Sequence, residues 1–225
     1  MQHATTEFVF FVVSDDVKPE DPSNERGQEL LKVFQAVKGQ DGYVLSGWGR
    51  TEEDINAMIW ITEWSIDNAT MNVEGLASLT KRSPEMVKIR TVLQPSLSEV
   101  GGLQATPCID VTTLTFKGNS TEQERATDLV AVQRMKRCVT QDVATDVQPR
   151  FYCLSRPDTF PEVASSESPS GKADLCVAVV GWTSRQQHYD MWKTEEFKAL
   201  IPSVRERLLP YPPGVGMKHT TFNLV

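Results

Sequence analysis

Three histidines in 225 residues bound the proton chemistry this chain can carry. His3 sits in a terminus expected to be loose. His188 falls in TSRQQHYDMW, directly after an apolar run that ends at Trp182. An imidazole titrates near neutral pH, so His188 is a candidate general base or hydrogen-bond donor at a cavity. Packing a helix against a sheet is the other use of the same ring. His219 lies in the closing segment MKHTTFNLV, where alternate residues share a face. Met217, His219, Thr221 and Asn223 form one side and Lys218, Thr220, Phe222 and Leu224 the other, so a site role for His219 depends on register.

Aromatic residues supply the walls such a base would need. Trp48, Trp60, Trp64, Trp182, Tyr189 and Trp192 cluster in two similar regions, with Tyr43 and Tyr152 on neighbouring apolar runs. Flat-walled pockets and core packing both use such side chains. Trp64 and Trp182 recur at the same place in IWITEW and VVGW, which favours packing. Trp48, Trp60 and Trp192 do not recur and are the pocket candidates, together with Tyr189 and His219. Arg50, directly after WG, can grip a carboxylate or a carbonyl oxygen, or pair with Glu52 or Glu63; Arg150 occupies a comparable place in the second half. His188, Arg50 and Tyr152 are therefore the candidate catalytic donors.

Absent motifs narrow the chemistry. There is no GxGxxG after the first strand-like run, no phosphate loop, no HExxH and no GxSxG. Nicotinamide, nucleotide and zinc chemistry fall away, and neither a metal nor a cofactor is expected. Cys108, Cys138, Cys153 and Cys176 form no CxxC pair and read as reduced thiols. The net charge of −7 argues against nucleic acid and against anionic membrane surfaces as partners. The apolar run near the N-terminus is too short for a signal peptide or a membrane helix, so a cytoplasmic protein is expected, monomeric or homodimeric. The sequons at Asn68 and Asn119 are then inert.

The positioning elements follow from periodicity. EFVFFVV reads as a strand, and Leu30, Val33, Phe34 and Val37 mark one face of a helix from Glu25 to Lys38, with Ser23 as N-cap. YVLSGWG and AMIWITEW read as antiparallel strands joined at TEED. A broken helical stretch is predicted over Asp67 to Leu97, with Pro84 at a first turn, and a weak fourth strand near LSEVGG. The second half repeats the order: CIDVTTLTF, a helix capped by Ser120 or Thr121, RFYCLS, LCVAVVGW, a last helix carrying Tyr189 to Leu208, and a closing strand. Arg156 to Lys172, rich in Pro, Ser and Gly, reads as a mobile surface insertion. The fold class is thus α+β, two ferredoxin-like β-α-β-β-α-β units at 1–104 and 105–225, with their bare sheet faces packed together.

GWGRTEED, IWITEW and VVGWTSRQQHYDMWKTEEFKALIPSVRERL resemble the antibiotic-biosynthesis-monooxygenase type of dimeric α/β-barrel domain, in the tandem form common among fungal proteins. The resemblance spans nearly the whole chain. It implies the barrel fold, and a superfamily that holds cofactor-free oxygenases, haem-degrading enzymes, cyclases, decarboxylases and isomerases. In the cyclase branch a catalytic His lies where this chain has KTEEF, so Glu196 is its nearest counterpart; Glu195 and Glu196 also read as solvated helix residues. The function expected is a cofactor-independent enzyme of secondary metabolism that folds an apolar polyketide- or terpenoid-like substrate for cyclisation, pericyclic closure or isomerisation. The alternatives are a cofactor-free monooxygenase on an aromatic polyketide and a non-catalytic binding or stress-response barrel. An apolar cavity of about 300 Å³ or more with converging polar groups separates an enzyme from a filled binding module.

Overall fold

The computed structural model describes residues 4–83 and 85–225, so the expectations for His3 and Pro84 lie outside the described residues. β1 (Thr5–Val12) turns Phe8 and Phe10 to one side and Val9 and Phe11 to the other. α1 (Glu25–Gln35) starts where expected but ends earlier, and its cap is one residue later: Asn24, not Ser23, accepts the Gly27 N–H at 2.7 Å. Gly27 is required because a Cβ there would stand 2.1 Å from the Lys18 carbonyl. β2 (Tyr43–Arg50) and β3 (Ala57–Trp64) form the expected antiparallel pair, with Trp48 opposite Trp60.

The next segment differs from expectation. Within Asp67 to Leu97 the helical content is a short 3-10 turn at Glu74–Leu76, followed by β4 (Val87–Thr91) and β5 (Leu93–Gln94). A buried carboxylate holds this coil in place of a helix: Glu7 accepts from the Met71 N–H and the Thr70 hydroxyl, each at 2.6 Å, and pairs with Lys88 at 2.9 Å. LSEVGG is not a strand but two 3-10 turns, made possible by Gly101 and Gly102 at φ +89° and +74°.

β6 (Cys108–Lys117), α2 (Glu122–Arg137) and β7 (Phe151–Ser155) follow as predicted, with Thr121 and Glu124 forming a capping box on α2. The insertion is more regular than its composition suggested. β8 (Glu162–Ala164) pairs with β9 (Lys172–Trp182), and Thr159 bonds both Thr91 and the Val92 N–H. The last helical stretch is two helices, α3 (Arg185–Trp192) and α4 (Glu195–Arg205), because Thr194 stops the first and caps the second. The closing strand is also split, into β10 (Met217–Thr220) and β11 (Asn223–Leu224).

Two antiparallel sheets result, ordered β11-β2-β3-β1-β4 and β10-β6-β9-β7-β5. Four helices accompany them among the described residues. The orders β4-β1-β3-β2 and β10-β6-β9-β7 are the same arrangement, that of a ferredoxin-like α+β sheet. The small edge strands cross over: β5 joins the second sheet and β11 joins the first. One apolar cluster lies between the sheets, with Phe8, Phe10, Ile59 and Ile61 against Ile109, Val111, Val177 and Val179. The opposite sheet faces carry separate clusters under their own helices. No helix among the described residues is long and apolar enough to cross a membrane.

Candidate functional site

The alternation of β6 decides where chemistry can occur. Ile109 and Val111 point between the sheets, so Asp110, Thr112 and Leu114 point under α2, α3 and α4. There they line a cavity of about 280 Å³, walled by Met135, Tyr152, Val180, Met191 and Ile201 among others. Exposed Lys198 and Arg205 on α4 mark the side on which it opens. The remaining polar wall is Asp110, Thr112 and His188, with the phenols of Tyr152 and Tyr211; the rings of Trp182 and Trp192 also line it.

His188 is placed by the start of α3. Ser184 caps the helix, Gln187 reaches back to the Thr183 N–H at 2.8 Å, and the next side chain is turned inward. Its ring stacks on Trp182 with centroids 4.5 Å and planes 12° apart, and meets Trp192 edge-on at 4.5 Å. Its Nε2 lies 3.7 Å from Asp110 Oδ2, beyond hydrogen-bond reach. Its Nδ1 lies 2.8 Å from His219 Nε2. β10 pairs His219 with Asp110, which settles the register question in favour of the helix-covered face. His219 Nδ1 is in turn 2.6 Å from Glu53 Oε1, and the Glu53 carboxylate also accepts the His219 backbone N–H. Glu53 belongs to the TEED turn between β2 and β3, so the cluster draws on both sheets. Glu52 in the same turn pairs with Arg185 at 2.6 Å.

Burial sets the electrostatics. Asp110 is 3% exposed, and loss of hydration pushes its carboxyl up to about 7 against the pull of the Thr112 hydroxyl at 2.7 Å. Burial, then the neighbouring His219 and Arg185, push His188 down to about 3. His188 is therefore neutral near pH 7, while Asp110 holds its proton far more readily than an exposed carboxyl does. Burial also drives the Tyr152 phenol far up, which leaves it a neutral hydroxyl. Among the described residues the indole N–H of buried Trp182 has no hydrogen-bond partner, while its ring lines the cavity.

Of the residues singled out from sequence, His188, His219, Tyr152 and Trp192 meet at or beside this cavity. Tyr189 stands behind it, with its ring 6.1 Å from that of His219 and beneath the Arg185 guanidinium. Arg50, Trp48 and Trp60 do not belong to it. Arg50 is held by Glu20 at 2.7 Å and by the Val17 and Ile55 carbonyls, a different ion pair from the two expected. Trp48 and Trp60 pack on Phe34 in the first-half core, at 5.7 and 4.9 Å between centroids. Glu195 pairs with Lys198 on the outer turn of α4, and Glu196 is exposed there too. The four cysteines are free and buried. Among the described residues no group of three or more His, Cys, Asp or Glu is placed to hold a metal ion. Sequence reasoning missed Asp110 and Glu53 and favoured packing for Trp182, which is in the core and also lines the cavity. An Asp flanked by Ile and Val in a strand-like run was the available signal for the first.

No protein-family model matches the sequence, and no curated protein does. Solved structures do resemble the fold. A proposed chlorite dismutase superposes with a TM-score of 0.60 at 9% identity, over 98% of this chain and 95% of that one. An anthrone oxidase-like protein gives 0.58 at 12% identity, over 99% and 92%. A proposed monooxygenase from Lactobacillus acidophilus gives 0.51 at 9%, over 99% and 96%. At these identities the likeness is one of architecture: this chain has the α+β, ferredoxin-like dimeric α/β-barrel fold.

Proposed function

We propose that this chain is a cofactor-independent small-molecule enzyme whose second-half cavity catalyses proton-transfer chemistry, isomerisation or ring closure, on an apolar polyketide- or terpenoid-like substrate. The observation that carries this reading is the neutral imidazole of His188 beside the buried carboxyl of Asp110 at one end of an apolar cavity. The walls supply burial and orientation, and the two groups supply a proton acceptor and a proton donor. In the simplest cycle, His188 Nε2 takes a proton from carbon next to a substrate carbonyl. The enolate oxygen is met by the Asp110 carboxyl, and the proton returns to a different atom of the substrate or of its ring-closed form. A cavity close to the size that small ligands occupy is also what a filled, purely structural barrel would lack. We read the two sheets as copies of one unit fused in tandem, with one copy keeping the site.

The test is deuterium exchange. Apolar ketones of polyketide and terpenoid type, incubated with the protein in deuterium oxide, should exchange at an enolisable position faster than in buffer. Asp110→Asn and His188→Gln should each remove that acceleration. A cavity that binds none of these compounds, or exchange untouched by both substitutions, would sink the reading. A second reading, cofactor-free oxygenation, starts from the same deprotonation and gains some support from the anthrone oxidase-like fold relative. Incorporation of labelled dioxygen into the product, in place of a product of unchanged mass, would favour it.

A further inference from the structure

Burial creates a difficulty for the site just described. A lone imidazole that resists protonation as strongly as His188 does is a weak base, since base strength and basicity run together. The geometry around it offers a way past that difficulty. An ionised carboxylate only accepts, so Glu53 fixes the His219 proton on Nδ1 at 2.6 Å. Neutral His219 then presents a lone pair at Nε2, and the 2.8 Å contact requires that His188 donate from Nδ1. That in turn leaves the His188 Nε2 lone pair facing the cavity and Asp110.

We propose that Glu53, carried by the β2–β3 turn of the first half, is the positioning residue of a two-imidazole relay that keeps His188 Nε2 unprotonated toward the cavity and lets the charge of a captured proton settle on His219. The inference rests on the cavity being the site. The transfer balances without any further reactant. A proton leaves the bound molecule for His188 Nε2 as the Nδ1 proton of His188 moves to His219 Nε2. The positive charge rests on His219 against the Glu53 carboxylate, and the return step reverses both moves. His188 never holds net charge in its buried position. Glu53 is the member of the chain that reaches solvent, with its side chain 28% exposed, whereas those of His188 and His219 are each 3% exposed. Other ionisable groups nearby are Asp110 and Cys108 on β6, Arg185 and Tyr189 on α3, and Glu52, which is neutralised by Arg185.

Three histidines make the test simple to read. Isotope-labelled histidine and long-range proton–nitrogen correlation spectra, recorded at about pH 8 where imidazoles are largely neutral, report which ring nitrogen carries each proton. The expected wild-type result is Nδ1–H on both His188 and His219. In Glu53→Ala the His219 proton is released to Nε2, which donates to His188 and shifts that ring's proton to Nε2, so both rings change form. Glu53→Gln, whose side-chain carbonyl still accepts, should keep the wild-type forms. A wild-type His188 protonated at Nε2 overturns the proposal, as does Glu53→Ala with both rings unchanged. If Glu53→Ala fails to fold, the wild-type assignment decides alone. No substrate enters the measurement, so its outcome is separate from that of the exchange test.

Discussion

Asp110 and His188 share a cavity and are moved by burial in opposite senses. Asp110 titrates near 7 in the fold and near 3.8 when unfolded, so between those values the native state holds the extra proton and stability falls as pH rises. His188 titrates near 3 in the fold and near 6.5 when unfolded, so across that window the unfolded state holds the extra proton and stability falls as pH drops. From about pH 4 to 6.5 the two slopes oppose each other, each up to about 1.4 kcal/mol per pH unit. Asp110→Asn, which keeps an acceptor for the Thr112 hydroxyl, should therefore gain stability relative to wild type as pH rises through that window. His188→Gln should gain relative to wild type as pH falls. Urea unfolding of the three proteins at several pH values checks both signs, and parallel curves would mean that neither group is perturbed. The tryptophans separate in another way. Trp192 is half-buried at the cavity beside His188, so Trp192→Ala should change ligand affinity and turnover more than stability. Trp48→Ala opens the Phe34 cluster and should cost about 3–5 kcal/mol with the cavity untouched. Urea midpoints and ligand titration on both variants distinguish these outcomes.

At the scale of elements, the insertion from Arg156 to Lys172 is the part whose expected contribution changes most. Its composition suggested a mobile surface insertion, yet Thr159 bonds Thr91 and Val92, the Arg156 N–H reaches the Val92 carbonyl at 2.8 Å, and β8 pairs with β9. Replacing it by a short Gly-Ser linker removes several such bonds at about 1 kcal/mol each. At about 2–4 °C per kcal/mol for a chain of this size, the melting temperature should fall by roughly 6–12 °C, measured by calorimetry. An unchanged melting temperature would show that these bonds are offset by loop entropy. The same contrast explains what was legible in the sequence. β1, β3, β6 and β9 announce themselves by β-branched and aromatic runs, and α2 by its Thr121-x-x-Glu124 box. β4 hides because its polar residues, Lys88 and Arg90, serve the buried Glu7 and the neighbouring carbonyls of Asp67 and Ala69. The helical stretch expected over Asp67 to Leu97 shrinks to a 3-10 turn among the described residues because that same carboxylate binds its backbone as coil. In the site, His188, His219, Tyr152 and Trp192 were visible as rare residue types, whereas Glu53 acquires meaning only through a partner 166 positions away. A local pattern carries no trace of that pairing.

In the whole molecule, each half lacks alone something that the other supplies. A sheet covered by helices on one face leaves an apolar face that must be buried, and here the residues between the sheets come from both. The edges are shared as well: Leu93 and Gln94 complete the second sheet at β7, while Asn223 and Leu224 complete the first at β2. Glu53 and Glu52 extend this dependence from folding to the site, since both reach from the first half to groups of the second. A fragment beginning near Thr106 would keep Asp110, His188 and His219, yet it would lose β5 at the outer edge of β7, the cover over Ile109, Val111, Val177 and Val179, and the anchor of His219. Such a fragment should precipitate or pair with a second copy through the exposed face. Co-expression with residues 1–105 should return it to solution as a one-to-one complex, and only the complex should restore the wild-type ring forms of His188 and His219. Size-exclusion chromatography with light scattering, followed by the histidine spectra, reads both. A soluble, folded monomer of the fragment alone would show that the two halves are independent domains and that the shared strands contribute little.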